Sequence, residues 1–167
     1  MKKLFLLISI GLVAGLYACG GGKTDNAGKE KDTVEKTEKD ASTGATSREG
    51  EVRHLTLADF KSYVMDTATM EYLGDRPCVI DFYADWCGPC KEMSPVVERA
   101  AAKLAGKVDF MKVDVDAEGE LAAMFGISSI PTFVFFAADG TPNIYTGMVP
   151  ESEFMEMVER YCLGKQQ

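Results

Sequence analysis

The segment Cys78-Val79-Ile80-Asp81-Phe82-Tyr83-Ala84 constrains the fold more than any other stretch of the chain. It follows the punctuation Asp75-Arg76-Pro77 and leads into Trp86-Cys87-Gly88-Pro89-Cys90-Lys91. A run that is apolar at odd and even positions alike offers no face to water, so it reads as a strand covered on both sides. Glu92 to Leu104 then sets Met93, Val96, Val97, Ala100 and Leu104 on one helical face, with Pro95 expected to kink it. A buried strand feeding an amphipathic helix is a building unit of α/β folds. One residue breaks the apolar pattern. Asp81 is costly there unless paired, and desolvation is expected to raise its pKa.

The remaining periodicities extend that unit. Val52 to Leu57 is a short strand, and Thr56 or Asp59 is placed to start a helical run through Phe60, Tyr63 and Val64. Val108 to Val115 alternates as a strand, and Glu118 to Phe125 forms a short helix with Gly126 at its C-cap. Thr132 to Phe136 and Asn143 to Thr146 are strands around the turn Asp139-Gly140. Glu151 to Cys162 closes the chain with a helix carrying Phe154, Met157, Val158 and Tyr161. The order βαβαβαββα predicts a central mixed sheet flanked by helices on both faces. Neither an internal repeat nor a dinucleotide fingerprint is present.

Composition divides the 167 residues into three parts. Residues 1–18 carry Lys2 and Lys3 and then the apolar run Leu4 to Ala18. That run is short of the roughly 20 residues a bilayer span requires, and a basic start before a short apolar stretch is the build of a secretory signal. Residues 19–50 begin at Cys19 and continue through a Lys/Glu/Asp/Thr mixture in which Val34 is the one branched aliphatic. With so little to bury, the segment cannot offset its ordering entropy and reads as a flexible linker, with a reach of roughly 30 Å. Residues 51–167 hold the only Trp and all but one each of the Phe and Tyr residues, enough for one core. The first nineteen residues contribute +2 and residues 20–50 contribute −1, so of the chain's −8 the last segment holds −9. A surface this acidic repels phosphate backbones and argues against nucleic-acid binding.

Cys87 and Cys90 admit two chemistries. A structural zinc site needs four ligands, and the remaining candidates, Cys78, Cys162 and His54, lack paired ligand spacing, so no metal site is expected. A redox pair needs a first Cys at a helix N-terminus, where free N–H groups and the helix dipole stabilise a thiolate, and a second Cys one turn further in. The β-to-α junction supplies both, and the spacing favours the redox reading. Cys78 and Cys162 are expected to be buried free thiols, His54 a strand residue, and the methionines at helical spacing core.

Taken together, these elements resemble thioredoxin over roughly Val52 to Leu163. The resemblance rests on His54-Leu55-Thr56, on Val79 to Ala84 leading into Trp86-Cys87-Gly88-Pro89-Cys90-Lys91, and on Pro95. Lys112 and Asp114, Gly126-Ile127, Ile130-Pro131-Thr132, Asp139-Gly140 and Gly147 complete it. It implies a thioredoxin fold and no cofactor. It further implies that Cys87 is an exposed nucleophile, Cys90 the resolving thiol, and Asp81 a buried proton acceptor for Cys90, moderated by Lys112. Gly88 and Pro89 would set the turn between the sulfurs and Trp86 would flank them. Ile130 and a cis Pro131 would offer backbone to an extended substrate, and Gly147 would leave room for it. Asp66 to Arg76 is longer than in thioredoxin, so a surface loop or a helix extension is expected there. Cys78 and Cys162 are additional to the family's pair.

Leu16-Tyr17-Ala18-Cys19-Gly20 is similar to a bacterial lipoprotein box. That likeness implies cleavage before Cys19, lipidation of Cys19, and attachment to a membrane of the bacterial envelope on the periplasmic side. The combined expectation is a monomeric thiol–disulfide oxidoreductase acting on disulfide-containing client proteins. Gly-Pro between the cysteines resembles the reducing members of the family and would call for a transmembrane electron donor. A net oxidase or isomerase fed by a quinone-linked oxidant, and a redox-inactive peptide-binding module, remain open alternatives.

Overall fold

Each central strand carries two apolar faces, and the layers follow from where those faces go. The computed structural model describes residues 49–165. The signal, Cys19 and most of the linker lie outside the described residues. Within them, β1 (Val52–His54) leads to α1 (Leu57–Asp59), which continues as a π-helical turn, Phe60–Val64. Then come β2 (Met65–Asp66), β3 (Glu71–Tyr72), β4 (Cys78–Tyr83), α2 (Gly88–Lys103), β5 (Asp109–Asp114) and α3 (Gly119–Met124). The chain finishes with β6 (Thr132–Phe136), β7 (Pro142–Thr146) and α4 (Glu151–Tyr161). Five strands form one sheet in the order β1-β5-β4-β6-β7. β1, β5 and β4 run parallel, and β6 and β7 add antiparallel.

The two-residue period of a strand sends alternate side chains to opposite layers. Val79, Phe110, Phe133 and Phe135 pack with Met93 and Val97 of α2 and Phe154 and Val158 of α4. Ile80, Phe82, Val113 and Phe136 pack with Phe60, Val64 and Leu121 on the other side. Phe154 anchors the first layer, its ring centroid 5.1 Å from that of Phe133 and 5.9 Å from that of Phe135. Asp81 shares the parity of Val79, so it points into the layer under α2.

Local chemistry explains the ends of the elements. Thr56 starts α1 with a reciprocal capping box: its Oγ1 accepts from the Asp59 N–H at 3.1 Å, and Asp59 Oδ2 accepts from the Thr56 N–H at 3.2 Å. Gly126 sits past the end of α3 at φ +63°, the left-handed position glycine tolerates best. α2 runs on through Pro95 as one helix. Glu49 and Gly50, at the end of the predicted linker, already pack on the domain. Gly50 has φ +88°, and a Cβ there would stand 3.2 Å from the Ala105 Cβ.

The region Asp66–Arg76 is neither a bare loop nor a helix extension. Met65 and Asp66 pair antiparallel with Tyr72 and Glu71 as a small hairpin. Asp66 Oδ1 accepts the Ala68 and Thr69 N–H groups, which turns the chain. Tyr72 fixes the hairpin to the domain by stacking on Phe136 at 5.8 Å and donating its hydroxyl to the Arg76 carbonyl at 2.6 Å.

Candidate functional site

The C-terminal end of β4 delivers the chain to the site. After Tyr83 the Cys87 N–H bonds the Ala84 carbonyl at 3.1 Å, a tight turn that makes Cys87 the N-cap of α2. Gly88 and Pro89 form the exposed first turn of the helix, where a proline has no N–H to lose. Cys90 lies one turn in. The two sulfurs form a disulfide of 2.04 Å with the Cα atoms 5.3 Å apart, and the Cys87 Sγ accepts the Cys90 N–H at 3.1 Å. The free N–H groups and dipole of a sixteen-residue helix converge on Cys87, where a thiolate would develop on reduction. Cys87 was expected to be exposed, but in this disulfide form it is only 4% exposed. Its sulfur turns inward to Cys90, and Ala84 and Ile130 pack against the pair.

Trp86, beside the sulfurs, is 69% exposed, and its Nε1 donates to Asp116 Oδ2 at 2.7 Å. Across from the pair, the Ile130–Pro131 peptide bond is cis, as the resemblance implies. The Pro131 carbonyl accepts the Gly147 N–H at 2.8 Å, so Gly147, at φ +109°, lies beside the loop. A Cβ at Gly147 would meet nothing within 4 Å, which leaves open space on the rim.

Beneath the surface, sheet register aligns the ionisable groups. Lys112 pairs with Asp81 on one side and with His54 on the other. Asp81 is 5% exposed, and burial pushes its carboxyl up to about 7 against the opposing pull of the Lys112 charge. Its Oδ1 is buried with no hydrogen-bond partner. Lys112 is half-buried, its Nζ 5.2 Å from the centre of the Tyr83 ring. That location is more confined than that of an ordinary solvated strand lysine. Desolvation first and the Lys112 charge second hold the His54 pKa below its usual 6.5.

All the site residues named from sequence within residues 49–165 therefore gather at one end of the sheet, and Cys19 lies outside the described residues. Cys78 and Cys162 sit away from that site as buried free thiols, each pushed up to about 12 by burial. The Cys162 thiol donates to the Cys78 carbonyl at 3.7 Å. Among the described residues no cluster of three or more His, Cys, Asp or Glu is arranged to hold a metal ion. Two kinds of residue escaped the sequence reading. Asp116, thirty residues from Trp86, gave no local signal. Ser94 and Glu98 did: they follow Cys90 at helical spacings of four and eight, the face that overlooks Asp81.

A disulfide capping a helix, with a buried acid behind it and a cis-proline loop in front, defines a dithiol–disulfide exchange protein. The sequence model of the thioredoxin family matches residues 51–160. Thioredoxin of Borreliella burgdorferi is 39% identical over 110 residues, covering 64% of this chain and 94% of that protein. Thioredoxin of Haemophilus influenzae is 34% identical over 111 residues, covering 66% and 97%. Among solved structures, a mutant thioredoxin from Halobacterium salinarum superposes with a TM-score of 0.57 at 30% identity, covering 70% of this chain and 96% of that one. Malassezia sympodialis thioredoxin gives 0.56 at 35%, covering 72% and 98%. The chain belongs to the thioredoxin family and is a protein-disulfide oxidoreductase.

Proposed function

We propose that the chain is a membrane-tethered oxidoreductase of the bacterial envelope that acts in the reducing direction on client disulfides. The single observation that carries the chemistry is the Cys87–Cys90 disulfide at the N-terminus of α2, close to the cis Ile130–Pro131 loop. In the reduced protein, Cys87 attacks as thiolate on one sulfur of a client disulfide. That bond breaks, a mixed disulfide forms, and the other client sulfur leaves as a thiolate. Cys90 then gives its proton to Asp81 and attacks the Cys87 Sγ, which releases the second client thiol and closes Cys87–Cys90. Two electrons pass from the pair to the client. Trp86, Gly88 and Pro89 form the rim of the site, and the Ile130 backbone would pair with an extended client segment. Lys112 keeps the Asp81 carboxylate accessible by opposing its desolvation.

The reducing direction is supported by Gly88-Pro89, and it requires a transmembrane electron donor to restore the dithiol. A lipid on Cys19 would hold the domain at the periplasmic side of a membrane while the linker gives it reach. The experiment is a matched set of variants. Cys87→Ser should abolish insulin reduction, and Cys90→Ser should accumulate client mixed disulfides on Cys87. Retention of bound clients without turnover in the unmutated protein would instead make it a peptide-binding module. In cells, a pair found mostly reduced supports the reductant, and a pair found mostly as disulfide with a quinone-linked partner would overturn that direction. Cys19→Ser should release the protein from the membrane fraction, and a soluble wild-type protein would refute the anchor.

A further inference from the structure

Asp81 stands between two cavities. Toward the sulfurs, a space of about 210 Å³ is bounded by Asp81, Cys90, Ser94 and Lys112. Behind it, a space of about 340 Å³ is bounded by Asp81, Ser94, Lys112, Glu98 and the lead-in residues Gly50 and Glu51. Three residues line both: Asp81, Ser94 and Lys112. Liquid water occupies about 30 Å³ per molecule, so the rear space is roomy enough for solvent, and its walls carry polar groups. The buried, unpartnered Asp81 Oδ1 belongs to a residue on the boundary of the two.

To take the Cys90 proton, Asp81 must be ionised when the resolving step begins, so it needs a route by which its proton exchanges with solvent. Of the groups that line both cavities, Lys112 as an ammonium has no lone pair to accept a proton, whereas the Ser94 hydroxyl both accepts and donates. The Ser94 Oγ lies 3.5 Å from Glu98 Oε1, at the long end of hydrogen-bond reach. Glu98 is exposed to solvent. Cys90, Ser94 and Glu98 follow one another at i, i+4 and i+8, so one helix face connects the resolving sulfur with bulk water.

We propose that Ser94 and Glu98 form the route by which the Asp81 proton reaches solvent through the rear cavity. This rests on the reading of Cys90 as the resolving thiol. The proton leaves Cys90 for Asp81 as the thiolate forms. Asp81 passes it into the rear space, where the Ser94 hydroxyl takes up one proton and releases its own to the Glu98 carboxylate. Glu98 then surrenders it to water. No electrons accompany it, and Asp81, Ser94 and Glu98 end as they began. Glu98 acts through Asp81 and touches no sulfur, so it is a positioning residue and not a catalytic one. The charged and titratable groups around Asp81 are Lys112 from β5, Tyr83 from its own strand, Asp85 shortly after that strand, Cys90, Lys91 and Glu98 from α2, and Glu51 ahead of β1.

The test is stopped-flow oxidation of the reduced full-length protein by insulin, followed by fluorescence of its single tryptophan, from pH 5.5 to 9 at two concentrations of a small buffer and fixed ionic strength. Wild type should be insensitive to buffer concentration. Glu98→Gln and Ser94→Ala should be slowed by at least about threefold in dilute buffer and restored in concentrated buffer, since a mobile acid–base replaces the missing relay. Glu98→Asp should resemble wild type. Rates and pH profiles matching wild type would overturn the proposal. So would a slowing that buffer does not restore, or a buffer-restored defect in Glu51→Gln in place of Glu98→Gln. A slow Asp81→Asn beside an unaffected Glu98→Gln would defeat this route and leave the oxidoreductase reading intact, whereas an inert wild-type protein would defeat that reading itself.

Discussion

Asp81→Asn should stabilise the oxidised protein at alkaline pH and leave its stability nearly unchanged near pH 4. The substitution keeps the shape of the side chain and removes its charge. In the folded protein burial raises the carboxyl from an ordinary value of 3.8 to about 7, while the unfolded chain titrates near the ordinary value. Between those limits the folded state binds a proton that the unfolded state has released, so stability falls as pH rises through the window. The penalty is absent below the lower value and complete above the upper one. At 1.36 kcal/mol per pKa unit this amounts to ~4 kcal/mol above pH 8. A urea slope of about 1–3 kcal/mol per M converts that into a midpoint shift of roughly 1–4 M. The assay is urea unfolding of both disulfide-bonded proteins at pH 4, 5.5, 7 and 8.5. The difference between variant and wild type should grow steadily with pH. A constant difference, or a variant less stable than wild type at pH 8.5, would refute the claim that Asp81 is ionised against its burial.

Other outcomes follow from the same geometry. Gly147→Ala places a Cβ in open space at φ +109°, so its cost is confined to the backbone, about 1–2 kcal/mol, and it should weaken client binding more than it lowers Tm. Gly140→Ala should be the more damaging of the two in thermal unfolding, because its Cβ would lie 2.5 Å from that of Tyr72 at φ +81°. Iodoacetamide added to the reduced folded protein at pH 8 should leave Cys78 and Cys162 unmodified until denaturant is present, as peptide mapping would show, since both thiols are buried and pushed up to about 12. Asp116→Ala should alter the emission of the sole tryptophan in both redox forms, and Asp116→Asn, which keeps an acceptor for the indole, should not.

How far these features could be read in advance depended on how far apart in sequence their partners lie. Strands β4 and β6 were legible because short runs apolar at odd and even positions alike leave no face for water, and helices α2 and α4 because each repeats its period over enough residues to separate a covered face from an open one. The junction carrying Cys87 and Cys90 was legible because a continuous apolar run gives way to a helical period at that point. The hairpin of Met65–Asp66 and Glu71–Tyr72 was not. Two-residue strands contain no period, and what holds this one is Tyr72 against Phe136, a contact across sixty-four positions of sequence that no local pattern encodes. The Trp86–Asp116 bond was hidden in the same way.

Asp81 shows why an exception to a pattern can say more than the pattern does. Its energetic cost was visible in the sequence as one acid among apolar neighbours, and the fold leaves that cost in place. Lys112 opposes the desolvation without cancelling it, and no hydrogen bond reaches Oδ1. A purely structural acid in this position would be expected to gain a partner or give way to an apolar residue, since a polar group left unpaired in the interior only destabilises. The position therefore makes sense as one where a carboxyl must change protonation near neutral pH. That requires a sulfur on one side to supply the proton and a passage on the other to remove it. Sequence identifies the first through Cys90 alone. The second becomes visible only when β4 is laid beneath α2: the helical spacing of Ser94 and Glu98 from Cys90 can be read in the sequence, but it points to no role until the acid beneath that helix face is known.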